Sequence, residues 1–96
     1  MISPKQRKHL KSLANTLEPK INIGKNSITD NVISQIDQIL EANELVKIKV
    51  LNNNLDDQEE LVQILLEKLN AEFVSHLGSK ITIYRQSKDK IIEFPK

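Results

Sequence analysis

Three segments of the chain repeat their apolar residues with the period of an α-helix, and four shorter segments alternate apolar and polar residues like β-strands. The helical stripes consist of Leu10, Leu13, Ala14 and Leu17, of Ile28, Val32, Ile33, Ile36, Ile39 and Leu40, and of Leu61, Val62, Leu65, Leu66 and Leu69. The strand-like segments are KINI at 20–23, ELVKIKVL at 44–51, AEFVSHL at 71–77 and KITIYR at 80–85. Helices and strands are therefore predicted to alternate along the chain.

Capping residues mark where the first helix should begin and end. Ser3 and Gln6 have the spacing of a capping box, and Pro4 suits the first helical position. Pro19 is predicted to end the helix, because proline lacks the N–H group that the next helical hydrogen bond requires.

The starts of the other two helices are also marked by polar residues. Thr29 or Ser27 can cap the second helix. Asn54 is the predicted cap of the third, with Asp56 and Asp57 in its first turn, where carboxylates interact favourably with the helix dipole.

The predicted order is helix–strand–helix–strand–helix–strand–strand, which is an α/β fold. Strands joined by a helix usually pair in parallel, so the first two strands should be parallel, whereas Gly78-Ser79 predicts an antiparallel hairpin between the last two. We expect a single compact domain over residues 1–96, with helices packed on a mixed four-stranded sheet. Its core should span about residues 3–86, and a tail at 87–96 should fray or pack through Ile91, Ile92 and Phe94.

Composition excludes several classes of function. The chain has no cysteine, which rules out disulfides, thiolate zinc sites and cysteine nucleophiles. His9 and His76 have no further ligand at a fixed helical spacing, so no metal or cofactor is expected, and Ser3 and Ser27 have no base that would activate them. We expect a protein that is not an enzyme and has no small-molecule substrate.

The chain lacks the features of a membrane or secreted protein. No apolar run approaches the roughly 18 residues of a membrane span, and the N-terminus has no apolar core like that of a signal peptide. A cytoplasmic protein without a membrane partner is expected.

Charge is distributed unevenly although the net charge is only +1. Residues 1–25 carry six basic residues against one acid, residues 26–79 carry three against ten, and residues 80–96 carry five against two. If the two basic ends meet in space, one face becomes a patch that attracts phosphate; the alternative is a set of solvated surface lysines. Three aromatic residues are few for base stacking, so recognition by lysines and backbone amides fits the composition better.

One of the only two glycines lies in the segment INIGKNSITDNVI, residues 21–33. A glycine after a strand lets the backbone approach a phosphate, and the following helix N-terminus offers free N–H groups and a partial positive charge. Lys25 would add a full charge. The spacing lacks the pattern of a P-loop or a dinucleotide fingerprint, which argues against nucleotide binding. From the residues alone the loop is either an anion site or a plain connector.

Taken together, KQRKHLKSLANTLEP, IGK followed by ITDNVI, ELVKIKV and the closing YR resemble the small stand-alone bacterial CRM-domain proteins of the YhbY type. The likeness covers about residues 3–86. Members of this family bind RNA and are associated with assembly of the large ribosomal subunit. The resemblance therefore implies an RNA-binding protein that contacts ribosomal RNA in the precursor 50S particle.

The family binds RNA through a GxxG loop and basic residues of its first helix. In this chain Gly24, Lys25 and Asn26 match the first three loop positions, and Arg7, Lys8 and Lys11 lie on the corresponding helix. Arg85 is a further candidate contact.

The fourth loop position departs from the family, because this chain has Ser27 where the family has glycine. If that position needs a positive φ, serine is strained there and its Cβ could hold RNA back. Alternatively, Ser27 caps the helix or its hydroxyl joins a phosphate contact.

A second hypothesis is a protein-interaction adaptor. In it the acidic middle of the chain binds a basic partner, without direct RNA contact, and the loop is a connector. The sequence does not indicate an oligomeric state.

Overall fold

A four-stranded sheet separates two layers of helix in the computed structural model, which describes residues 2–94. The helices are α1 (Pro4–Ala14), α2 (Asp30–Asn43) and α3 (Gln58–Leu69), and the strands are β1 (Ile21–Ile23), β2 (Leu45–Val50), β3 (Glu72–Leu77) and β4 (Lys80–Tyr84). Their order along the chain is α-β-α-β-α-β-β, as the hydrophobic pattern predicts.

The sheet is mixed, with strand order β1-β2-β4-β3. β1 and β2 are parallel, whereas β4 is antiparallel to both β2 and β3. Gly78 turns the β3–β4 hairpin with φ of 59°, a backbone conformation that glycine adopts without strain. The predicted pairings of the first two and the last two strands are confirmed.

The main core lies between the sheet and the two helices α2 and α3. It contains Val46, Ile48 and Val50, which alternate along β2, together with buried residues from both helices such as Ile36 and Leu65. Burying one face of each strand fixes the register, because a shift by one residue would place Lys47 or Lys49 in this core.

A second core lies on the opposite side of the sheet, beneath α1. It joins Leu10 and Ala14 of α1 to Leu45, Val74 and Tyr84 of the sheet. The C-terminal tail packs here through Ile92 and Phe94, as predicted for two of its three apolar residues, whereas Ile91 is largely exposed.

The first helix ends earlier than predicted. It stops at Ala14 rather than at Pro19, and Leu17 lies beyond it, half-buried against the second core. The chain leaves the helix in a turn in which the N–H of Leu17 donates to the Ala14 carbonyl oxygen at 3.0 Å. Nζ of Lys47 in β2 also donates to the carbonyl oxygens of Ala14 at 3.1 Å and Leu17 at 3.3 Å. A lysine ammonium at this position satisfies carbonyls that a helix end leaves unpaired and favours the negative end of the dipole.

The predicted start of the third helix is wrong by three residues. Asp57, not Asn54, is the N-cap, and its carboxylate accepts from the N–H groups of Glu59 and Glu60. Asp56 lies outside the helix. The other predicted starts are confirmed: Thr29 caps α2, and Ser3 caps α1 in a capping box with Gln6.

Candidate nucleic-acid interface

The glycine-lysine loop is a tight turn at the end of β1. The N–H of Ser27 donates to the carbonyl oxygen of Gly24 at 3.0 Å, which leaves Lys25 and Asn26 at the tip of the turn, both exposed. Within residues 2–94, the N–H groups of Lys25 and Asn26 have no acceptor in the protein. The turn therefore presents two free amide donors and one ammonium group to solvent, a combination that can hold a phosphate.

The left-handed position of this loop is Ser27 and not Gly24. Ser27 has φ of 57°, whereas Gly24 is not among the residues with a positive φ. A Cβ on Gly24 would lie 3.4 Å from Oδ1 of Asn53, an ordinary van der Waals contact, so neither the backbone angle nor the packing requires glycine there. A non-glycine residue in the left-handed region costs roughly 1–2 kcal/mol, so Ser27 needs support from its surroundings.

That support comes from the loop that precedes α3. The Ser27 hydroxyl donates to the carboxylate of Asp56, and Nδ2 of Asn54 donates to the Gly24 carbonyl at 2.9 Å. Asp56 is itself placed by the bond from its N–H to Oδ1 of Asn54 at 2.9 Å. The alternative that Ser27 caps α2 is therefore wrong, because Thr29 is the N-cap and the Ser27 hydroxyl donates to Asp56. A phosphate contact by Ser27 stays a prediction.

We predict that Ser27 and Asp56 are energetically coupled. Asp56→Ala should lower the free energy of unfolding by about 1 kcal/mol when residue 27 is serine, because the hydrogen bond that holds the left-handed conformation is lost. In a Ser27→Gly background the same change should have little effect, since glycine adopts this φ unaided. Urea unfolding of the four variants measures the coupling, and additive effects of the two changes would refute it.

The basic residues of α1 differ in their exposure and in whether their side chains are already hydrogen-bonded within the protein. Lys8 and Lys11 are exposed and have no hydrogen-bond or ion-pair partner among residues 2–94. Arg7 is half-buried, and its Nε donates to the carbonyl oxygen of Phe73 at 3.1 Å. Arg7 therefore ties α1 to β3, while Lys8 and Lys11 remain available to a ligand.

Arg85 lies at the other end of the sheet from the loop. It follows β4, whose first residue, Lys80, is at the loop end; five residues of strand separate them by roughly 17 Å. Its guanidinium forms ion pairs with Asp37 at 2.8 Å and Glu41 at 3.1 Å, and it donates to the carbonyl oxygen of Leu69 at 2.9 Å. This side chain joins the end of β4 to α2 and α3.

The two basic ends of the chain meet, which was the condition for a basic face. Phe94 of the tail packs edge-on against His9 of α1, with ring centroids 5.9 Å apart, and against Tyr84 at 5.7 Å. The acidic helices α2 and α3 cover the opposite side of the sheet. Charge is thus sorted between the two sides of the molecule.

Lys49 and Lys80 are exposed lysines outside the set of residues that the sequence predicts for the site. They are directly opposite each other in the β2–β4 pair, on the sheet face that carries α1. Only the strand order brings them together, because β4 inserts between β2 and β3. Alternation in ELVKIKVL marks Lys49 as outward-facing, but it does not reveal this partner.

Other kinds of site find no support in the described part of the chain. Among residues 2–94 no group of three histidine, aspartate or glutamate side chains is arranged to hold a metal ion. Within the same range, none of the helices has the length and apolarity needed to cross a membrane.

Comparison with known proteins assigns the family. The model of the CRS1/YhbY (CRM) domain matches residues 2–85. The probable RNA-binding protein YqeI of Bacillus subtilis is 38% identical over 99% of this chain and 100% of its own length, and an RNA-binding protein of Haemophilus influenzae is 30% identical over 99% and 96%. The solution structure of the hypothetical protein SAV1595 from Staphylococcus aureus is 48% identical, with a TM-score of 0.82 over 99% of this chain and all of that one. With the predicted elements in place and the resemblance confirmed over nearly its whole length, the chain belongs to the CRS1/YhbY (CRM) domain family.

Proposed function

We propose that this protein binds RNA without catalysing a reaction, and that its target is ribosomal RNA in the precursor of the large subunit, in the cytoplasm. The observation that carries the proposal is the exposed Lys25-Asn26 turn, with two unpaired amide donors beside a full positive charge. Family membership supports RNA as the ligand, since the relatives from B. subtilis and H. influenzae are named as RNA-binding proteins. The ribosomal target follows from the family resemblance.

In the proposed mechanism the turn holds one backbone phosphate. The N–H groups of Lys25 and Asn26 donate to its oxygens, and the Lys25 ammonium neutralises its charge. Lys8 and Lys11, which are free and exposed on α1, contact further phosphates. Arg7 contributes mainly by fixing α1 to the sheet, and Arg85 is left out because its guanidinium is already paired.

The acidic side of the molecule limits which surface the RNA can use. Asp56 and Asp30 lie next to the turn. Asp57 caps α3, and Glu59 and Glu60 lie in the first turn of that helix. A phosphate chain is repelled by these carboxylates and is directed toward the α1 side of the sheet. RNA bound at the turn can therefore extend only toward the α1 side of the sheet.

The second candidate is an adaptor that binds a basic protein through α2 and α3. The separation of charge between the two sides of the sheet favours it. The two functions are told apart by binding of the purified protein to transcribed large-subunit ribosomal RNA fragments, alongside a pull-down with and without RNase. We expect direct RNA binding and loss of captured partners after RNase. Partners retained after digestion, with no binding to the RNA fragments, would establish the adaptor instead.

A further inference from the structure

We propose that the open half of the sheet is a second RNA-contacting surface, built on Lys49 and Lys80, which takes the sugar-phosphate backbone of the strand that is held at the glycine-lysine loop. The inference rests on the proposed RNA-binding function and adds a site outside both the loop and α1. We call this surface the lysine row; it consists of Asn22, Lys49 and Lys80.

The register of the sheet places these three residues side by side. Asn22 of β1 is opposite Lys49 of β2, and Lys49 is opposite Lys80 of β4. All three are exposed, and their neighbours Ile23, Ile48 and Ile81 point into the main core on the other face. The row therefore crosses three adjacent strands, a distance of roughly 10 Å.

Helix α1 covers only the other half of this sheet face. Its buried residues contact Leu45, Val74 and Tyr84, which lie toward the far end of the strands. The helix ends at Ala14, where Lys47 binds the final carbonyl oxygens. Beyond that point the sheet face is uncovered, and the early end of α1 is what leaves the lysine row accessible.

No contact within residues 2–94 offsets the repulsion between the charges of Lys49 and Lys80. Like charges directly opposite each other on neighbouring strands destabilise a sheet. Neither lysine has a hydrogen-bond or ion-pair partner within residues 2–94, and the row contains no acid that would offset the repulsion. Lys47, the preceding residue on the same face of β2, differs from them, because its ammonium group donates to the carbonyl oxygens of Ala14 and Leu17. A polyanion that binds across the row would relieve the repulsion.

A groove continues the row toward the β3–β4 hairpin. It has a volume of about 380 Å³ and is lined by Asn15, Lys47, Ser75, Leu77 and Lys80, among others. Leu77 is opposite Lys80 and is 71% exposed, so an apolar side chain lies next to the charged one. The lysines can contact phosphates, and the apolar side chain beside them can contact a sugar or a base. This combination suits a nucleic-acid strand better than a free anion.

The loop and the lysine row lie at the same end of the sheet. Ile23, the last residue before Gly24, pairs with Val50, and the N–H of Val50 donates to the carbonyl oxygen of Ser79 in the hairpin at 2.8 Å. One strand of RNA can therefore run from the Lys25-Asn26 turn, past Lys49 and Lys80, into the groove.

The test uses Lys49→Gln, Lys80→Gln and the double variant, with Lys68→Gln on the exposed face of α3 as the matched control. Binding to a transcribed large-subunit ribosomal RNA fragment is measured over a range of salt concentrations. Each change in the row should weaken binding about three- to five-fold and reduce the slope of log K against log salt by about one, whereas Lys68→Gln should change neither. Urea unfolding should show the double variant to be at least as stable as the parent, because the like-charge pair is gone.

Lys25→Glu distinguishes failure of this inference from failure of the proposed function. If Lys25→Glu weakens binding and the double variant does not, the lysine row is overturned and the loop site stands. If all of these variants bind RNA like the parent, the proposed phosphate site at the loop is wrong, and the lysine row with it. If only the row variants weaken binding, the lysine row is supported as the principal site.

Discussion

Replacing Glu44 with alanine is expected to lower the free energy of unfolding by about 3 kcal/mol. Glu44 is fully buried, although it carries a charge. Its Oε2 accepts from the N–H of Ser87 at 2.6 Å and from the Ser87 hydroxyl at 3.0 Å, and its Oε1 accepts from the N–H of Ile92 at 2.6 Å. Removing the carboxylate leaves these donors unpaired in a buried site.

The structural consequence of that change should be release of the tail. Glu44 is the C-cap of α2, with φ of 68°, and it is the point where residues 87–92 are attached to the body of the protein. Beyond it, Phe94 packs against Tyr84 over the second core. Hydrogen exchange at the amides of Ser87 and Ile92 should accelerate most.

Glu93→Ala is the matched control, since Glu93 is an exposed carboxylate on the same tail. Its effect on urea unfolding should be within about 0.5 kcal/mol. Equal effects of the two changes, or unchanged exchange at Ser87 in Glu44→Ala, would show that the buried carboxylate does not hold the tail.

The same site makes stability depend on pH. Burial tends to raise the pKa of Glu44, but the N–H groups of Ile92 and Ser87 and the Ser87 hydroxyl bind the charged form, and the net pKa is lowered from 4.5. A lowered pKa in the folded state means that the contribution is present above about pH 4.5 and is lost as pH falls through the folded pKa. Glu44→Gln should therefore flatten the loss of stability in acid.

The elements of this fold follow closely from the residue pattern. The stripe in α2 and the alternation in β2 are long and regular, and the capping residues Ser3 and Thr29 are local signals that their own segments satisfy. Gly78 marks the hairpin for the same reason. These predictions succeed because each depends on contacts within a few residues of sequence.

Several features that the sequence did not reveal depend on partners far along the chain. The last residue of α1, Ala14, binds Lys47, which lies 33 residues further along the chain. Arg85 likewise binds Asp37, 48 residues before it. In the sequence Glu44 looks like an ordinary acid at a helix end, and only the fold brings the N–H of Ser87 to its carboxylate. The local sequence does not predict these contacts.

In the candidate site, too, the local sequence predicts some features, whereas others depend on distant contacts. The loop sequence identifies Gly24, Lys25 and Asn26 as a turn before a helix, and the structure places Lys25 and Asn26 at an exposed tip. The left-handed conformation of Ser27 and its hydrogen bond to Asp56 depend on the packing of two loops that α2 and β2 separate along the chain. The sequence therefore predicts which residues form the turn but not how the shape of the turn is maintained.

Lys25→Glu is expected to weaken binding to ribosomal RNA about ten-fold at moderate salt, since it removes one ammonium–phosphate contact and places a like charge at the turn. The fold should not change, because Lys25 is exposed and has no partner within residues 2–94. The slope of log K against log salt should fall by about one for the lost contact.

A salt titration of RNA binding for Lys25→Glu beside Lys68→Glu shows whether the glycine-lysine loop holds RNA. Lys68 is an equally exposed lysine in the last turn of α3, on the acidic side of the sheet. We expect weaker binding and a flatter slope for Lys25→Glu, with parent-like values for Lys68→Glu. Equal effects at the two positions would contradict this expectation, because RNA would then be responding to net charge and not to the glycine-lysine loop.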